Sequence, residues 1–153
     1  MSLVACNGSN TNDSTATDIT YQVYNPQKTW YDRTCSDSEG NTWDCGYWIP
    51  GYDDYDGTST VRGTVSASIA NVYVNGKKIA RQNDSVTETE QANVPGNAVN
   101  IRNADGGTGR VSNGNSSRVY AGGVLVAVVG SSVTTHAGGS TTIKDGSTNV
   151  YIT

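Results

Sequence analysis

Three cysteines and a single histidine are the side chains of this 153-residue sequence best suited to hold a metal ion. They are Cys6, Cys35, Cys45 and His136. Three thiolates and one imidazole are a common ligand set of structural zinc sites, so the sequence predicts one zinc or iron ion bound by these residues. The same residues also fit a disulfide between Cys35 and Cys45 with Cys6 free. The N-terminal residues do not resemble a secretory signal, which favours reduced thiols and a metal, but both interpretations stay open.

A second group of chemically useful side chains lies in residues 21–56. All three tryptophans and six of the nine tyrosines fall there, among several aspartates. Flat rings beside carboxylates can bind sugars, because rings stack on sugar faces and carboxylates accept hydroxyl protons. The alternative is that the rings bury one another, and we expect a compact insertion with its own aromatic core. Residues 53–56 predict a solvated acidic turn, with a calcium site as the alternative.

Signals for catalysis are weak in this sequence. One histidine could activate a serine or cysteine, but no G-x-S-x-G elbow is present. Residues 105–109 are rich in glycine but lack the lysine of a phosphate-binding loop, and they predict a turn. The sequence up to Asp56 contains nine acidic and two basic residues, whereas the remainder contains five acidic and eight basic residues. No basic stripe with interleaved aromatics indicates nucleic-acid binding. We therefore expect a non-enzymatic protein with two differently charged surfaces.

Local patterns predict an all-β fold in a single domain spanning residues 1–153. No stretch has the apolar spacing of a helix without a glycine or a turn cluster inside it. Short runs of Val, Ile, Tyr and Thr instead alternate with Gly, Asn, Asp and Ser, which is typical of short strands and tight turns. Residues 1–20 are small and polar, and they predict either irregular backbone that packs on another part of the protein or a mobile segment.

The C-terminal part of the chain repeats a short unit. Residues 72–87 align without gaps on residues 119–134, with seven of sixteen positions identical, and residues 149–153 match the start of both. The β-branched residues upstream of each copy are Val65, Val111 and Ile143.

The turn residues of the two longer copies predict tight hairpins. Asn75-Gly76 lies between the strands of one copy, and Gly122-Gly123 takes the same place in the other. A type I′ turn needs positive φ at both of its central residues, which Asn and Gly tolerate. Three such units cannot bury their apolar faces alone and must pack together. The repeat therefore predicts a small conical body of hairpins in a pseudo-threefold arrangement, with an aromatic-rich insertion at residues 21–56.

The first longer copy of the repeat contains a run that is similar to a known family. Residues 74–86 read Val-Asn-Gly-Lys-Lys-Ile-Ala-Arg-Gln-Asn-Asp-Ser-Val and resemble the segment that names the PAAR-repeat proteins. The family motif is Pro-Ala-Ala-Arg. Its four positions are occupied here by Lys78, Ile79, Ala80 and Arg81, so the proline and the first alanine of the motif are replaced. Residues 132–143 resemble the His-Gly-Gly loop of the family, and residues 146–152 resemble its closing strand. The resemblance covers about residues 60–153.

The resemblance implies a specific mechanical role. PAAR-repeat proteins are small β-cones that cap trimeric β-helical spikes of contractile phage tails and of the type VI secretion apparatus. They sharpen the spike for piercing a membrane and bind zinc near the tip through His and Cys. Only His136 remains of the histidines in that set. We expect one copy of this chain on the threefold end of a spike in a virion baseplate or, alternatively, in a type VI apparatus. An extracellular β-domain that binds glycan through its aromatic insertion is the competing expectation.

Overall fold

The protein is an all-β structure without a helix, described for residues 1–153 by a computed structural model. It has fifteen strands: β1 (Ser2–Leu3), β2 (Ser14–Tyr31), β3 (Thr34–Ser36), β4 (Thr42–Asp44), β5 (Tyr47–Ser66), β6 (Tyr73–Val74), β7 (Lys77–Lys78), β8 (Ser85–Asn93), β9 (Ala98–Arg102), β10 (Gly107–Val111), β11 (Tyr120–Ala121), β12 (Val124–Leu125), β13 (Ser132–Thr134), β14 (Ser140–Thr142) and β15 (Tyr151–Ile152). The predicted all-β class is confirmed. The chain contains no helix that could span a membrane.

Seven strands form one sheet that curls into a half-barrel, in the order β14-β13-β10-β8-β5-β2-β9. It is built from three antiparallel hairpins of decreasing length, β2–β5, β8–β10 and β13–β14. Neighbouring hairpins pair through β5 with β8 and through β10 with β13. An isolated bridge between Thr11 and Ile143 joins the outer hairpin β13–β14 to the residues that precede β2.

Three buried alanines close a ring of backbone hydrogen bonds, here called the alanine ring. The Ala5 N–H donates to the Ala127 carbonyl at 2.9 Å, Ala127 donates to Ala80 at 2.9 Å, and Ala80 donates to Ala5 at 3.0 Å. All three side chains are fully buried. A small side chain suits each position, because a larger one would have to displace the closely spaced backbones around it.

The three segments that contain these alanines make matching contacts. Bridges join Val4 to Val128, Ile79 to Cys6, and Val126 to Arg81. Three residues beyond each alanine, the N–H groups of Gly8, Asn83 and Gly130 donate to the carbonyls of Val65, Val111 and Ile143, in that order, at 2.8–2.9 Å. The β-branched residues that the sequence placed upstream of each copy therefore occupy equivalent sites.

The N-terminal segment belongs to this set. Between β1 and β2 it forms only isolated bridges and packs into the body, which is one of the two alternatives expected for residues 1–20, and the mobile alternative is wrong. β1 pairs with β15, so Leu3 lies opposite Tyr151, as Lys78 lies opposite Tyr73. The copy that looked truncated in sequence is thus completed by the other end of the chain. Residues from Ser14 onward already belong to β2.

Two clusters of buried apolar side chains form the core, and both consist of small residues. The first contains Ala5, Val65, Ala80, Val86, Val111, Ala127, Val133 and Ile143. The second contains Val4, Ile69, Val74, Ile79, Ala121 and Val126. Strands β5, β8, β10 and β13 supply half of the first cluster, and the short hairpins β6–β7 and β11–β12 contribute to the second. We call this part of the protein, residues 1–19 and 58–153, the body.

Residues 20–57 form an extended ribbon, here called the arm, and this corrects the expectation of a compact insertion. β5 pairs with β8 only as far as Thr58, and beyond that point it continues as a ribbon with β2. β9 supports the arm only at its base, through Thr20, Gln22 and Val23. The stretch from Tyr47 to Gly57 spans about 30 Å at 3.3 Å per residue. Residues 53–56, predicted as a turn, lie within β5.

Candidate functional site

The four predicted metal ligands do not come together. Cys35 and Cys45 form a disulfide that closes the small hairpin β3–β4 at the end of the arm. Cys6 is buried in the body, where its Sγ lies 3.8 Å from the Ser9 Oγ. The structure therefore has the pairing that was the alternative to a metal site, and it separates the remaining cysteine from the pair by the length of the arm.

His136 lies between two buried glutamates of β8. Its Nδ1 is 2.7 Å from Glu88 Oε2, and its Nε2 is 3.0 Å from Glu90 Oε2. The two carboxylate side chains are 2 % and 0 % exposed. Both ring nitrogens thus already have partners, and no group of three or more His, Cys, Asp or Glu side chains is arranged to hold a metal ion. The residues present do not fit the ion that the ligand count predicted.

This cluster is electrostatically coupled. Burial lowers the pKa of His136, but hydrogen bonds and charge from Glu88 and Glu90 outweigh burial and raise that pKa above its ordinary value. The Ser59 hydroxyl donates to Glu90 Oε1, and the Gly106 N–H donates to Glu90 Oε2 at 3.2 Å. When His136 is protonated, its imidazolium donates a hydrogen bond to each carboxylate, so all three charged groups have partners. Such pairing is needed to offset the desolvation penalty of buried charges.

Two glycines of β10 create the space for this cluster. A Cβ at Gly109 would lie 1.8 Å from Glu88 Oε1, and a Cβ at Gly107 would lie 2.8 Å from the His136 side chain. The glycine-rich stretch that contains them therefore packs against charged groups and continues as a strand. Its role is to give Glu88 and His136 room inside the sheet.

The four motif residues have separate structural tasks. Ile79 packs in the second cluster, and Ala80 belongs to the alanine ring. Lys78 ends the strand β7. Arg81 crosses to the neighbouring segment, where its Nη1 donates to the Ala121 carbonyl at 3.1 Å and its Nη2 donates to the Ser68 hydroxyl at 3.1 Å. The motif is a structural element of the body.

The predicted hairpin turns have the required backbone geometry. Asn75 and Gly76 have φ of 52° and 78°, and Gly122 and Gly123 have φ of 56° and 80°. Positive φ at both central residues is what a type I′ turn needs.

One tyrosine of each copy faces solvent at an equivalent position, opposite Lys78, Leu125 or Leu3. The three are Tyr73, Tyr120 and Tyr151, which are 55 %, 57 % and 50 % exposed. The body therefore carries one exposed ring on each of its three equivalent segments.

The arm carries a different set of exposed rings, arranged as cross-strand pairs. The pairs are Tyr21–Tyr55, Tyr24–Tyr52, Trp30–Trp48 and Tyr31–Tyr47, with ring centroids 5.1–5.8 Å apart. Seven of these eight side chains are exposed by more than two fifths. The aromatic core expected for this region is absent, because a two-stranded ribbon has no opposing layer that could bury both of its faces.

Sequence reasoning missed Glu88 and Glu90, although a signal was present. The run Thr87-Glu88-Thr89-Glu90 alternates in a strand, which places both glutamates on one face. It also missed the N-terminal copy. Residues 4–9 read Val-Ala-Cys-Asn-Gly-Ser, and residues 126–131 read Val-Ala-Val-Val-Gly-Ser, with four of six positions identical.

Comparison with known proteins gives no relative. No protein-family model, curated protein or solved structure matches the chain. The geometry above is therefore the basis of any functional assignment.

Proposed function

We propose that this chain is a non-enzymatic spike-tip protein of the PAAR-like kind, one copy of which caps the threefold end of a trimeric β-helical spike. Its setting is the baseplate of a contractile phage tail or, alternatively, a type VI secretion apparatus. Sheath contraction would drive the spike forward, and the tip would contact the target membrane only transiently.

The observation that carries this proposal is the alanine ring together with its three matching segments. Ala5, Ala80 and Ala127 exchange hydrogen bonds in a closed cycle, and the residues around them repeat the same contacts. A single chain with this pseudo-threefold pattern offers three equivalent edges. A homotrimer also offers three equivalent edges around its axis, so one copy can satisfy all of them at once.

The directions of the hairpins support the mechanical part of the proposal. Each of the three matching segments continues into one of the hairpins β2–β5, β8–β10 and β13–β14, so all three leave the ring in the same sense. In the proposed tip, hairpins of decreasing length would narrow the protein away from the ring, with the arm as its far end. The short hairpins, which pack the second cluster, would then form the end that meets the spike.

The exposed tyrosines Tyr73, Tyr120 and Tyr151 are the side chains we propose for that contact. They sit at equivalent positions on the three segments and are each at least half exposed. Aromatic residues are enriched among the residues that dominate protein interfaces. A trimer that presents the same pocket three times would receive one ring in each.

The test is native mass spectrometry of the full chain mixed with trimeric β-helical spike proteins from contractile tails and type VI systems. We expect a complex of one chain with three spike subunits for at least one spike. Complexes of any other stoichiometry, or no complex with any spike of such a panel, would overturn the proposal.

Variants of the tyrosines sharpen this test. Replacing Tyr73, Tyr120 and Tyr151 together with alanine should weaken spike binding by at least about tenfold. Tyr24→Ala, at an equally exposed tyrosine of the arm, is the matched control and should leave spike binding unchanged. Deleting residues 149–153 should also abolish binding, because it removes β15 and leaves β1 without its partner.

A further inference from the structure

We propose that one face of the arm is a binding surface for an uncharged oligosaccharide of pyranose rings. This inference does not rest on the spike-tip proposal, since it concerns residues 20–57 and not the segments around the alanine ring. It assigns a ligand class to aromatic side chains that take no part in the core of the body.

The surface consists of two aromatic pairs on the same side of the ribbon. Trp48 and Tyr52 are four residues apart in β5, so their side chains project from one face. Trp30 and Tyr24 lie directly opposite them in β2. We call these four residues the arm face. They are 43–55 % exposed, so each presents a large part of its ring to solvent.

Each ring of the arm face packs against its partner across the ribbon. Trp30 and Trp48 pack edge to face at 5.3 Å, and Tyr24 and Tyr52 do so at 5.8 Å. The Trp30 indole also lies against Gly46, where a Cβ would approach it to 2.4 Å. Rings that are oriented before binding lose little conformational entropy when a ligand stacks on them. The arrangement therefore suits a flat, rigid ligand such as a pyranose.

Polar groups continue the arm face toward the body. The Gln22 amide donates to Asp54 Oδ1 at 2.7 Å, and the Asn100 amide donates to Gln22 Oε1 at 2.8 Å. This chain of hydrogen bonds fixes the Asp54 carboxylate next to Tyr52 and leaves its Oδ2 to accept from a ligand hydroxyl. Sugars present C–H groups on a ring face and hydroxyls at the ring edge, and this surface matches both.

The edges of the arm are poorly suited to binding another strand. A register shift interrupts the pairing of β2 and β5 between Asn25 and Thr29. Pro26 lies in that interruption and Pro50 lies in β5, and a proline cannot donate a backbone hydrogen bond. Prolines and bulges are the features that protect sheet edges from pairing. The arm therefore offers its faces, and not its edges, to a ligand.

The charge of the arm selects the ligand class. Residues 20–57 contain seven acids against Lys28 and Arg33, a net charge of −5. Such a surface repels acidic polysaccharides and anionic lipid headgroups. Insertion into a neutral membrane is also unfavourable, because Asp54 and Asp56 share the arm face with Tyr52 and would lose their hydration. An uncharged sugar polymer meets neither obstacle.

The experiment is isothermal titration calorimetry of the full chain with defined hexasaccharides. The uncharged probes are hexamers of β-1,4-glucose, α-1,4-glucose and β-1,4-N-acetylglucosamine, and the anionic probe is a hexamer of galacturonic acid. We expect at least one uncharged hexamer to bind with a dissociation constant of about 1 mM or lower. We expect no binding of the anionic hexamer.

Matched variants test whether the arm face is responsible. Trp48→Ala should weaken binding by at least about tenfold, whereas Tyr47→Ala, its neighbour on the opposite face, should change it by less than about twofold. Asp54→Asn leaves all the rings in place and should still weaken binding. This variant therefore tests the arm face even if Trp48→Ala disturbs the structure of the ribbon. An intact-mass measurement checks that the Cys35–Cys45 disulfide persists in each variant.

Three results would overturn the inference. The first is that no uncharged hexamer binds, and the second is that Trp48→Ala and Tyr47→Ala reduce binding equally. The third is that the chain binds phosphatidylcholine vesicles through Trp48 and not the hexamers, which would assign the arm face to membranes. Loss of spike binding in the earlier test would leave all three measurements unaffected, so the two proposals fail separately.

Discussion

The body and the arm are made of the same kind of β-strand but are held together in different ways. The body packs side chains no larger than isoleucine around a closed cycle of backbone hydrogen bonds. The arm has large rings but no second layer to cover them, and it relies on cross-strand pairs and one disulfide. The large aromatic side chains thus lie at the surface, whereas the core of the body consists of smaller side chains that pack closely.

The largest effect is expected from enlarging a residue of the alanine ring. Ala127→Leu would push a branched side chain into a site with no free space, and we expect a loss of about 3 kcal/mol in the free energy of unfolding. Chemical denaturation measures this loss. Ala70→Leu, at an exposed position of the body, is the control and should change stability by less than about 0.5 kcal/mol. Equal effects at the two sites would contradict the ring.

Removing the disulfide should affect the arm and spare the body. Replacing Cys35 and Cys45 with serine opens a loop whose ends are 10 residues apart, which costs about 2–3 kcal/mol of local stability in the chain-entropy description. Hydrogen exchange should accelerate at the β3–β4 hairpin and remain unchanged at Ala80 and Ala127. Faster exchange throughout the body would show that the two regions unfold as one unit.

The buried cluster should make stability depend on pH. The pKa of His136 is raised above its ordinary value of 6.5, so protonation favours the folded state. The stabilisation is complete below pH 6.5 and is lost as the pH rises through the raised value. Denaturation midpoints measured at intervals from pH 5 to pH 9 should therefore fall as the pH rises above 6.5.

A variant assigns that pH dependence to the cluster. Glu88→Gln removes one carboxylate from His136, and we expect it to lower stability at acidic pH by about 1–3 kcal/mol and to flatten the pH profile. Since His136 is the only histidine in the chain, an unchanged profile in this variant would contradict the coupling.

The smallest effect is expected from a single ring of the arm. Trp30→Ala removes one edge-to-face pair, which is worth about 0.5–1.5 kcal/mol beyond area burial. Hydrogen exchange at β2 and β5 beyond Thr58 reports this change, while thermal unfolding of the body should be unaffected. A comparable loss in the body would mean that the arm rings contribute to its core.

Much of the body was predictable from local patterns. Strand and turn residues indicated the all-β class, and Asn75-Gly76 and Gly122-Gly123 indicated hairpins with positive φ, as observed. The N-terminal copy was harder to recognise, because its Val-Tyr strand comes from the other end of the chain. The similarity of Val4-Ala5 to Val126-Ala127 is visible only when the start of the chain is aligned with residues 126–131, within the copy at residues 119–134.

The arm and the buried cluster were not predictable from composition. A concentration of Trp and Tyr in a sequence indicates a buried aromatic core if a second layer covers the rings. The sequence does not reveal that β2 and β5 extend past the end of β8, where no second layer covers them. Cys35 and Cys45 fitted a metal site and a disulfide equally well by count, and only the folding of β3 against β4, which brings Cys35 of β3 close to Cys45 just after β4, separates the two. The sequence indicated His136 as a metal ligand. Its contacts with Glu88 and Glu90 were not predictable, because they depend on the long-range pairing of β8 with β10.

The alanine ring also has a kinetic consequence. Ala5 lies 122 positions from Ala127 and 75 positions from Ala80, so every bond of the cycle joins segments that are far apart along the chain. Contacts of such high sequence separation form slowly, because loop-closure entropy is lost before any of them is made. The hairpin β3–β4 joins residues at most ten apart and needs no such search. We therefore expect the end of the arm to acquire its structure early in folding and the ring to close last.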